Sequence, residues 1–517
     1  MYLVNDTTTQ ACPTLAAPAV RVRRLGIDTH QEPIIYMRRD CPVCRSEGFE
    51  AQSRINITVG ERTIIATLNV VEPALFPDEL LSLDEAGLSE AAWKLLEPRE
   101  GAHAELSHPR PLESLSHIRA KIYGKTLSAE QMHAIMRDMV HGRFADVHLA
   151  GFLAACAGDR MTNGEIVALT QSMVDVGEQL SWNADVVVDK HCVGGLPGNR
   201  TTPLVVSIVA AYGLTIPKTS SRAITSPAGT ADAMATLTDV DLDIADIRRV
   251  VQREGGCIAW GGAMRLSPVD DILIRVERAL DIDSEGQLVA SVLSKKIAAG
   301  STHVIIDMPV GPTAKVRSPI AAQKLARMFE AVAEPMGLNL KVVTTDGSQP
   351  IGHGIGPALE ARDVLAVLQG QPDAPADLHG RAVKLAAEIF ELSGKVAEGQ
   401  GAELARQILD DGRAWAKFQA ICEAQGGLHE PPVAAHQHDV VAERAGTVVA
   451  VDNRRLARAA KLAGAPEDPA AGLEFHARLG TRVAKGEPLF TLHAESPGEL
   501  DYALAYVAEH DGIITLE

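Results

Sequence analysis

Aromatic residues make up only 4% of this 517-residue chain, and it also lacks a long apolar run, a basic surplus and a regular cysteine framework. Its longest nearly apolar stretch, Pro203 to Pro217, is interrupted by Ser207, Tyr212, Gly213 and Thr215 and is shorter than the roughly 20 residues that a spanning helix needs. The formal net charge of −18 argues against non-specific binding to nucleic acid or to an anionic membrane, both of which need a basic surface. An anionic substrate must therefore be met by locally gathered Lys and Arg. Seven cysteines, an odd number scattered along the chain, suit reduced thiols. Cys41-Pro-Val-Cys44 has CxxC spacing that Cys12 or His30 would have to complete, but there is no second CxxC, so the expectation is a plain turn and no metal. Met1 to Thr7 offers neither a basic nor an apolar targeting region, and a cytoplasmic protein is expected.

What is present reads as an ordinary multidomain enzyme, with 46% hydrophobic and 22% charged residues and a length sufficient for three or four domains. Residues 54–71 alternate apolar and polar around Gly60-Glu61, the pattern of a half-buried β-hairpin. With Val20–Leu25 and Ile34–Met37 it predicts a β-rich N-terminal domain over 1–98, followed by a linker from Arg99 to Pro111. Leu115, Ile118 and Ile122 then share a helical face, and Ser128 with Gln131 and Thr162 with Glu165 have capping-box spacing, which predicts an all-α domain over 105–180. Residues 181–264 and 301–425 read as an α/β domain with a parallel-type sheet. Its predicted elements include a buried strand at Val186–Val188, a helix at Pro203–Ala211 and strands at His303–Asp307 and Leu340–Thr344. Residues 435–517 read as an α+β domain, with strands at Gly446–Val451 and Gly486–Leu492 around a helix at Arg454–Leu462. The segment from Gly480 to Phe490 is similar to lipoyl-type hammerhead domains, but Lys485 precedes the strand instead of standing in an exposed hairpin, so a structural domain is expected.

The most informative segment runs from Asn183 to Leu237. A strand empties into Lys190-His-Cys-Val-Gly-Gly-Leu-Pro-Gly198, and one strand later Lys218-Thr-Ser-Ser-Arg-Ala-Ile-Thr-Ser-Pro-Ala-Gly-Thr230-Ala-Asp232 clusters hydroxyls with cations. Glycines let successive N–H groups approach an anion, while hydroxyls, Lys and a following helix N-terminus complete the shell. One glycine turn would carry little weight, but two anion-friendly loops in succession indicate a phosphate site.

These segments resemble the thymidine phosphorylase family of nucleoside phosphorylases. Asp189 to Gly195 matches its Asp-Lys-His-Ser-x-Gly-Gly loop with Cys192 in place of serine, and Ser220 to Asp232 matches its second signature with Ser221 in place of glycine. Val289 to Gly300 and Thr345 to Glu360 agree in order and spacing, so the resemblance covers roughly 105–517. The wording of 221–226 and of Leu280 to Gly286 is closest to the longer branch, which includes AMP phosphorylases and bacterial proteins labelled as thymidine phosphorylases.

The resemblance implies a helical domain completed by about 265–300, an active cleft between it and the α/β domain, and a homodimer or larger homo-oligomer. It also implies phosphate-dependent cleavage of thymidine or a related pyrimidine nucleoside to free base and 2-deoxyribose 1-phosphate. Inorganic phosphate is then a substrate and no cofactor is needed. Phosphate would be held by Lys190, Gly194, Gly195, Thr202, Ser220 and Thr230. The base and nucleoside would meet His191, Arg275 (or Arg278), Ser291 and Lys295, with Ser221, Arg222, Ala223, Ile224, Thr225, Ser226 and Lys315 as further contacts in the nucleotide-cleaving branch. His191, Lys295 and Asp283 are the implied catalytic groups, Asp283 as proton donor to the leaving base. The alternative within the family is an AMP (nucleoside 5′-monophosphate) phosphorylase yielding ribose 1,5-bisphosphate. Outside it stand a phosphoribosyltransferase, whose acidic metal motif is missing from the second half of the chain, and a non-catalytic nucleotide-binding protein.

Overall fold

The computed structural model of the chain describes residues 19–29, 32–75, 80–223, 226–264, 266–280, 282 and 284–517. They fall into two compact units, one holding residues up to Arg119 together with Asp138–Gly151, the other holding Ala120–Arg137 and Phe152–Glu517.

The first unit contains a closed six-stranded barrel in the order β1-β5-β2-β4-β3-β6. Its strands are β1 (Ala19–Arg24), β2 (Ile34–Arg38), β3 (Arg54–Val59), β4 (Arg62–Val71), β5 (Glu85–Leu88) and β6 (His103–Ser107). β3 and β4 pair antiparallel across Gly60, whose φ of +59° makes the tight turn accessible to glycine. Ile55 and Ile57 point inward, as period-two alternation requires. The expected linker from Arg99 to Pro111 instead contains β6, which pairs with both β1 and β3 and so closes the barrel and removes its free edges. Only Ala104 and Leu106 of its five residues face inward, too few apolar positions to mark a strand. Cys41 and Cys44 are packed into the barrel core, and Cys44 donates to the Phe49 carbonyl at 3.4 Å. Cys12 and His30 lie outside the described residues.

In the second unit the helix Asn163–Asp175 begins with a complete Thr162/Glu165 capping box, and Glu165 also accepts from Lys121 at 2.6 Å and from the Leu127 N–H at 2.9 Å. The helix Glu285–Ala298 packs against it at Gly286, where an added Cβ would stand only 3.2 Å from Ile166. The α/β core is built on β7 (Val188–Cys192), β8 (Ile216–Ser220), β9 (Gly256–Trp260), β10 (His303–Val310) and β11 (Asn339–Asp346). β7, β10 and β11 pair in parallel, as do β8 and β9, and a parallel bridge between Val187 and Thr215 joins the two groups. β7 starts later than the apolar run Val186–Val188 and continues through Lys190, His191 and Cys192, because Lys190 and His191 pair in register with Ile305 and Ile306. Lys218 to Ser220 likewise belong to β8. Residues expected on loops are therefore fixed by sheet hydrogen bonds at the carboxyl ends of parallel strands, where open α/β sheets bind ligands.

The C-terminal part has a four-stranded antiparallel sheet (Gly354–Ile355, Gly472–Phe475, Pro488–Ala494, His436–Val441) and a three-stranded one (Arg482–Val483, Gly446–Val451, Ile514–Leu516), with helices Asn453–Leu462 and Pro497–Glu509. No helix among the described residues is long and apolar enough to cross a membrane.

Candidate active site

Lys190 is 1% exposed, and its ammonium donates to Thr201 Oγ1 at 2.6 Å and to Thr202 Oγ1 at 3.4 Å. Both threonines open the helix Thr201–Tyr212, whose N-cap Arg200 makes no side-chain cap, so the N–H groups of Thr201 and Thr202, ahead of Pro203, are open to an anion. The sequence singled out Thr202, but Thr201 stands closer to the ammonium. Between strand and helix, Gly194, Gly195 and Gly198 have φ of +88°, +78° and +71°. A Cβ at Gly195 would lie 2.4 Å from the Lys315 nitrogen and one at Gly198 would lie 2.0 Å from the Ile351 carbonyl oxygen, so the backbones touch only because glycine stands there. This places the Lys315 backbone against the glycine loop.

Two buried lysine ammoniums face one carboxylate, which the backbone N–H of Lys190 also meets. Lys296 donates to Asp189 Oδ2 at 2.7 Å, Lys218 lies 3.9 Å from Oδ1, and the Lys190 N–H donates to Oδ1 at 2.7 Å. Burial pushes the Lys190 pKa down, with Asp307 opposing the shift. Lys218 is driven well below an ordinary lysine by burial and by Lys296, which Asp189 does not fully offset. His191 is lowered well below its usual value by burial and then by Lys296, Lys218, Lys295 and Lys190, so its imidazole is neutral at physiological pH. In a chain of net charge −18, this local gathering of lysines is what an anion pocket requires.

Arg200 ties the loops together. It donates to Thr230 Oγ1 at 2.6 Å, to the Ala228 carbonyl at 3.1 Å and to Glu360 Oε2 at 2.7 Å. Asp307 accepts from Asn199 Nδ2 at 3.0 Å and from Thr345 at 2.7 Å. Cys192 Sγ receives the Gly194 N–H at 3.4 Å and Asn199 Nδ2 at 3.3 Å, and burial, with Asp307, pushes its thiol up to about 12. It is therefore an uncharged weak donor. Ser220, at the end of β8, has a buried Oγ with no partner.

On the helical side, Ser291 and Lys295 stand four residues apart on Glu285–Ala298 and so share a face. Lys295, with 27% of its side chain exposed, pairs with Asp270 on the helix Pro268–Leu280, which also carries Arg275. Burial opposes its charge, but Asp270, with Asp271 and Glu277, raises its pKa above that of a free lysine.

The 221–230 segment is folded by Asp232, which accepts from the Ala223 N–H at 2.6 Å and from the Gly229 N–H at 2.8 Å. The Ser221 carbonyl accepts from the Ala231 N–H, and Ser226 bonds the Ala228 carbonyl at 3.0 Å. Arg222 is held by Asp232 and Asp241 and lies 4.9 Å over the Trp260 ring. Ile224, Thr225 and Asp283 lie outside the described residues, as does the Arg278 side chain. Thr201, Asn199, Arg200, Asp307, Lys218, Lys296, Asp270 and Glu360 received no role from the sequence. The available signals were isolated charges inside apolar segments, such as Lys218 after Ile216-Pro217 and Asp307 after Val304-Ile-Ile.

Three family profiles match the chain in order. They are the helical bundle domain of a glycosyl transferase family over residues 115–177, its a/b domain over 184–415, and the pyrimidine nucleoside phosphorylase C-terminal domain over 447–513. A protein of Polaromonas sp. (strain JS666 / ATCC BAA-500) named "Putative thymidine phosphorylase" is 62% identical over 495 residues, 96% of either chain. The chain belongs to the pyrimidine nucleoside phosphorylase family. A Legionella pneumophila (strain Paris) protein of the same name is 59% identical over 497 residues, 96% of this chain and 95% of that one. The crystal structure of anthranilate phosphoribosyltransferase from Thermus thermophilus aligns with 60% of this chain and 98% of that chain, with a TM-score of 0.50 at 20% identity, which is a likeness of fold. As a member of the pyrimidine nucleoside phosphorylase family the protein is a pentosyltransferase, with small-molecule nucleoside and phosphate as its substrates.

Proposed function

We infer that the protein cleaves the N-glycosidic bond of thymidine or a related pyrimidine nucleoside by phosphorolysis, yielding free base and 2-deoxyribose 1-phosphate. The observation that carries this reading is the buried Lys190 ammonium donating to the two threonines that open a helix, inside a cluster with more lysines than carboxylates.

Ammonium and guanidinium groups can only donate hydrogen bonds, so Thr201 Oγ1 accepts from Lys190 and Thr230 Oγ1 accepts from Arg200. Each hydroxyl proton is thereby free to be donated outward to a phosphate oxygen. Ser220, with no partner of its own, adds another hydroxyl, and the N–H groups of Thr201, Thr202 and Gly195 complete a donor shell. Such a shell orients phosphate toward the anomeric carbon and excludes competing water. The transition state places positive charge on the sugar and negative charge on the departing base. Lys295, kept protonated by Asp270, and Ser291 beside it supply donors for the base, while neutral His191 donates through one ring nitrogen. Asp283 is the proposed proton donor when a less acidic base leaves.

The rival reading, nucleoside 5′-monophosphate phosphorolysis, needs a further cation for the 5′-phosphate. The engagement of Arg222 with Asp232, Asp241 and Trp260 favours the nucleoside instead. A homo-oligomer formed through the helical domain is proposed with the function.

The test is release of free base from thymidine, uridine, AMP and CMP, with and without inorganic phosphate, by wild type and Asp283→Asn. Phosphate-dependent cleavage of thymidine is expected. Cleavage of AMP alone, collapsing in the variant, would replace this reading with the nucleotide one, and absence of phosphate-dependent release from all four would sink both.

A further inference from the structure

We propose that Asn199 makes the site selective for an oxyanion that still carries a proton, accepting the P–OH of phosphate and so discriminating against fully ionised anions such as sulfate. The proposal rests on the phosphorylase reading and assigns a specificity-determining residue for its nucleophile.

The observation is an orphaned acceptor. Asn199 is 8% exposed; its Nδ2 donates to Asp307 Oδ2 at 3.0 Å and lies 3.3 Å from Cys192 Sγ, whereas its Oδ1 is buried and has no partner. The orientation of the amide is set by chemistry, because only the NH₂ end can face a carboxylate. Asp307 is fixed on β10, where Thr345 holds its other oxygen at 2.7 Å. The Asn199 oxygen therefore faces away from Asp307, on a loop whose next two residues reach Thr230 and Lys190 through Arg200 and Thr201. Native folds rarely leave a buried acceptor unmet, so an orphan beside an anion pocket is evidence of what the pocket receives.

Lys190, Thr201, Thr202, Ser220, Thr230 and the Gly195 N–H can all donate to an anion. A single acceptor in such a shell repels any oxygen without a proton. Sulfate has none at neutral pH. Inorganic phosphate keeps a P–OH throughout the physiological range, and a P–OH donating to Asn199 Oδ1 satisfies the orphan. The same contact fixes which phosphate oxygen keeps the proton, leaving the ionised ones for Lys190 and for attack on the sugar. Cys192, uncharged beside Asn199, adds no negative charge that would compete for the P–OH.

The experiment uses the full-length protein and three probes: inorganic phosphate, arsenate and sulfate. With the nucleoside it cleaves, wild type should accept arsenate, which also carries a protonated oxygen. Sulfate should compete only at concentrations on the order of 100-fold above the KM for phosphate, because a site built to pair a hydroxyl rejects the analogue lacking it. In Asn199→Ala the KM for phosphate should rise by about tenfold with a smaller change in kcat, while the sulfate inhibition constant stays level or falls, so that selectivity collapses. Wild-type competition requires no variant to fold, and sulfate inhibiting within about threefold of the phosphate KM would overturn the proposal outright. Equal weakening of both anions in a folded Asn199→Ala protein would reduce Asn199 to a structural residue and overturn it as well. Absence of phosphate-dependent turnover together with absence of phosphate binding by calorimetry would instead fell the phosphorylase reading, and this proposal with it.

Discussion

Replacing Arg200 with Met should destabilise the protein more at alkaline than at acid pH. Arg200 is the cation facing Glu360, a carboxylate only 1% exposed whose pKa burial already raises even with the guanidinium pulling it down. Removing one partner of a buried ion pair leaves an uncompensated charge and costs about 3–5 kcal/mol. For a cooperative unit of some 150–250 residues each kcal/mol lowers Tm by about 2–4 °C, so a loss of roughly 6–20 °C is expected. Without Arg200, Glu360 keeps its proton in the folded state to still higher pH, whereas the unfolded chain releases it near the usual carboxylate pKa. The folded state then binds more protons than the unfolded state, and stability falls as pH rises through that window. Calorimetry at pH 5.5 and 8.5 should show the larger drop at 8.5, and Arg200→Met combined with Glu360→Leu should recover most of it. A Tm change under 2 °C at both pH values, or a larger loss at pH 5.5, would refute the assignment of Glu360 as a buried charge dependent on Arg200. Because Arg200 also orients Thr230, the single variant should raise the KM for phosphate as well.

Lys190→Met should lower kcat/KM for phosphate by on the order of 10²–10³, measured by phosphate-dependent base release, and Lys190→Arg should not rescue it because the pocket is closed around a single nitrogen. Asp270→Asn removes the carboxylate that raises the Lys295 pKa, so the alkaline limb of the kcat/KM profile should move to lower pH; an unchanged limb would remove protonated Lys295 from the base contacts. Cys192→Ser introduces a stronger donor at the glycine loop and should lower the KM for phosphate, while wild-type Cys192, held up to about 12, should resist alkylation by iodoacetamide at pH 8.

Much of the second unit was legible because its signals are local. Thr162 and Glu165 cap a helix by themselves, and the apolar run from Pro203 to Ala211 forms a helix that Gly213 ends. Lys190, Ser220 and Thr230 stood out because cations and hydroxyls concentrate near glycines. The strand ends were misread, because Lys190 and Lys218 look like loop residues until β10 and β9 pair with them, and that pairing is long-range. The charge partners were illegible for the same reason. Glu360 lies 160 positions from Arg200, and Asp307 lies 108 from Asn199, distances over which no periodicity carries information. β6 was hidden by its brevity, since its role as the closing strand depends on partners more than 40 residues away.

The lysine cluster around Asp189 has a consequence beyond turnover. Burial first, then Lys296 and Lys190, hold the Lys218 pKa down against the pull of Asp189. Under the proposed function, a phosphate bound beside these lysines would add negative charge and, binding the native state alone, would contribute RT ln(1 + [L]/Kd), about 2.7 kcal/mol at a hundredfold excess over Kd. Phosphate would thus act as an interior counter-ion as well as a nucleophile, and the stability of the native fold would become a readout of the phosphate concentration around it.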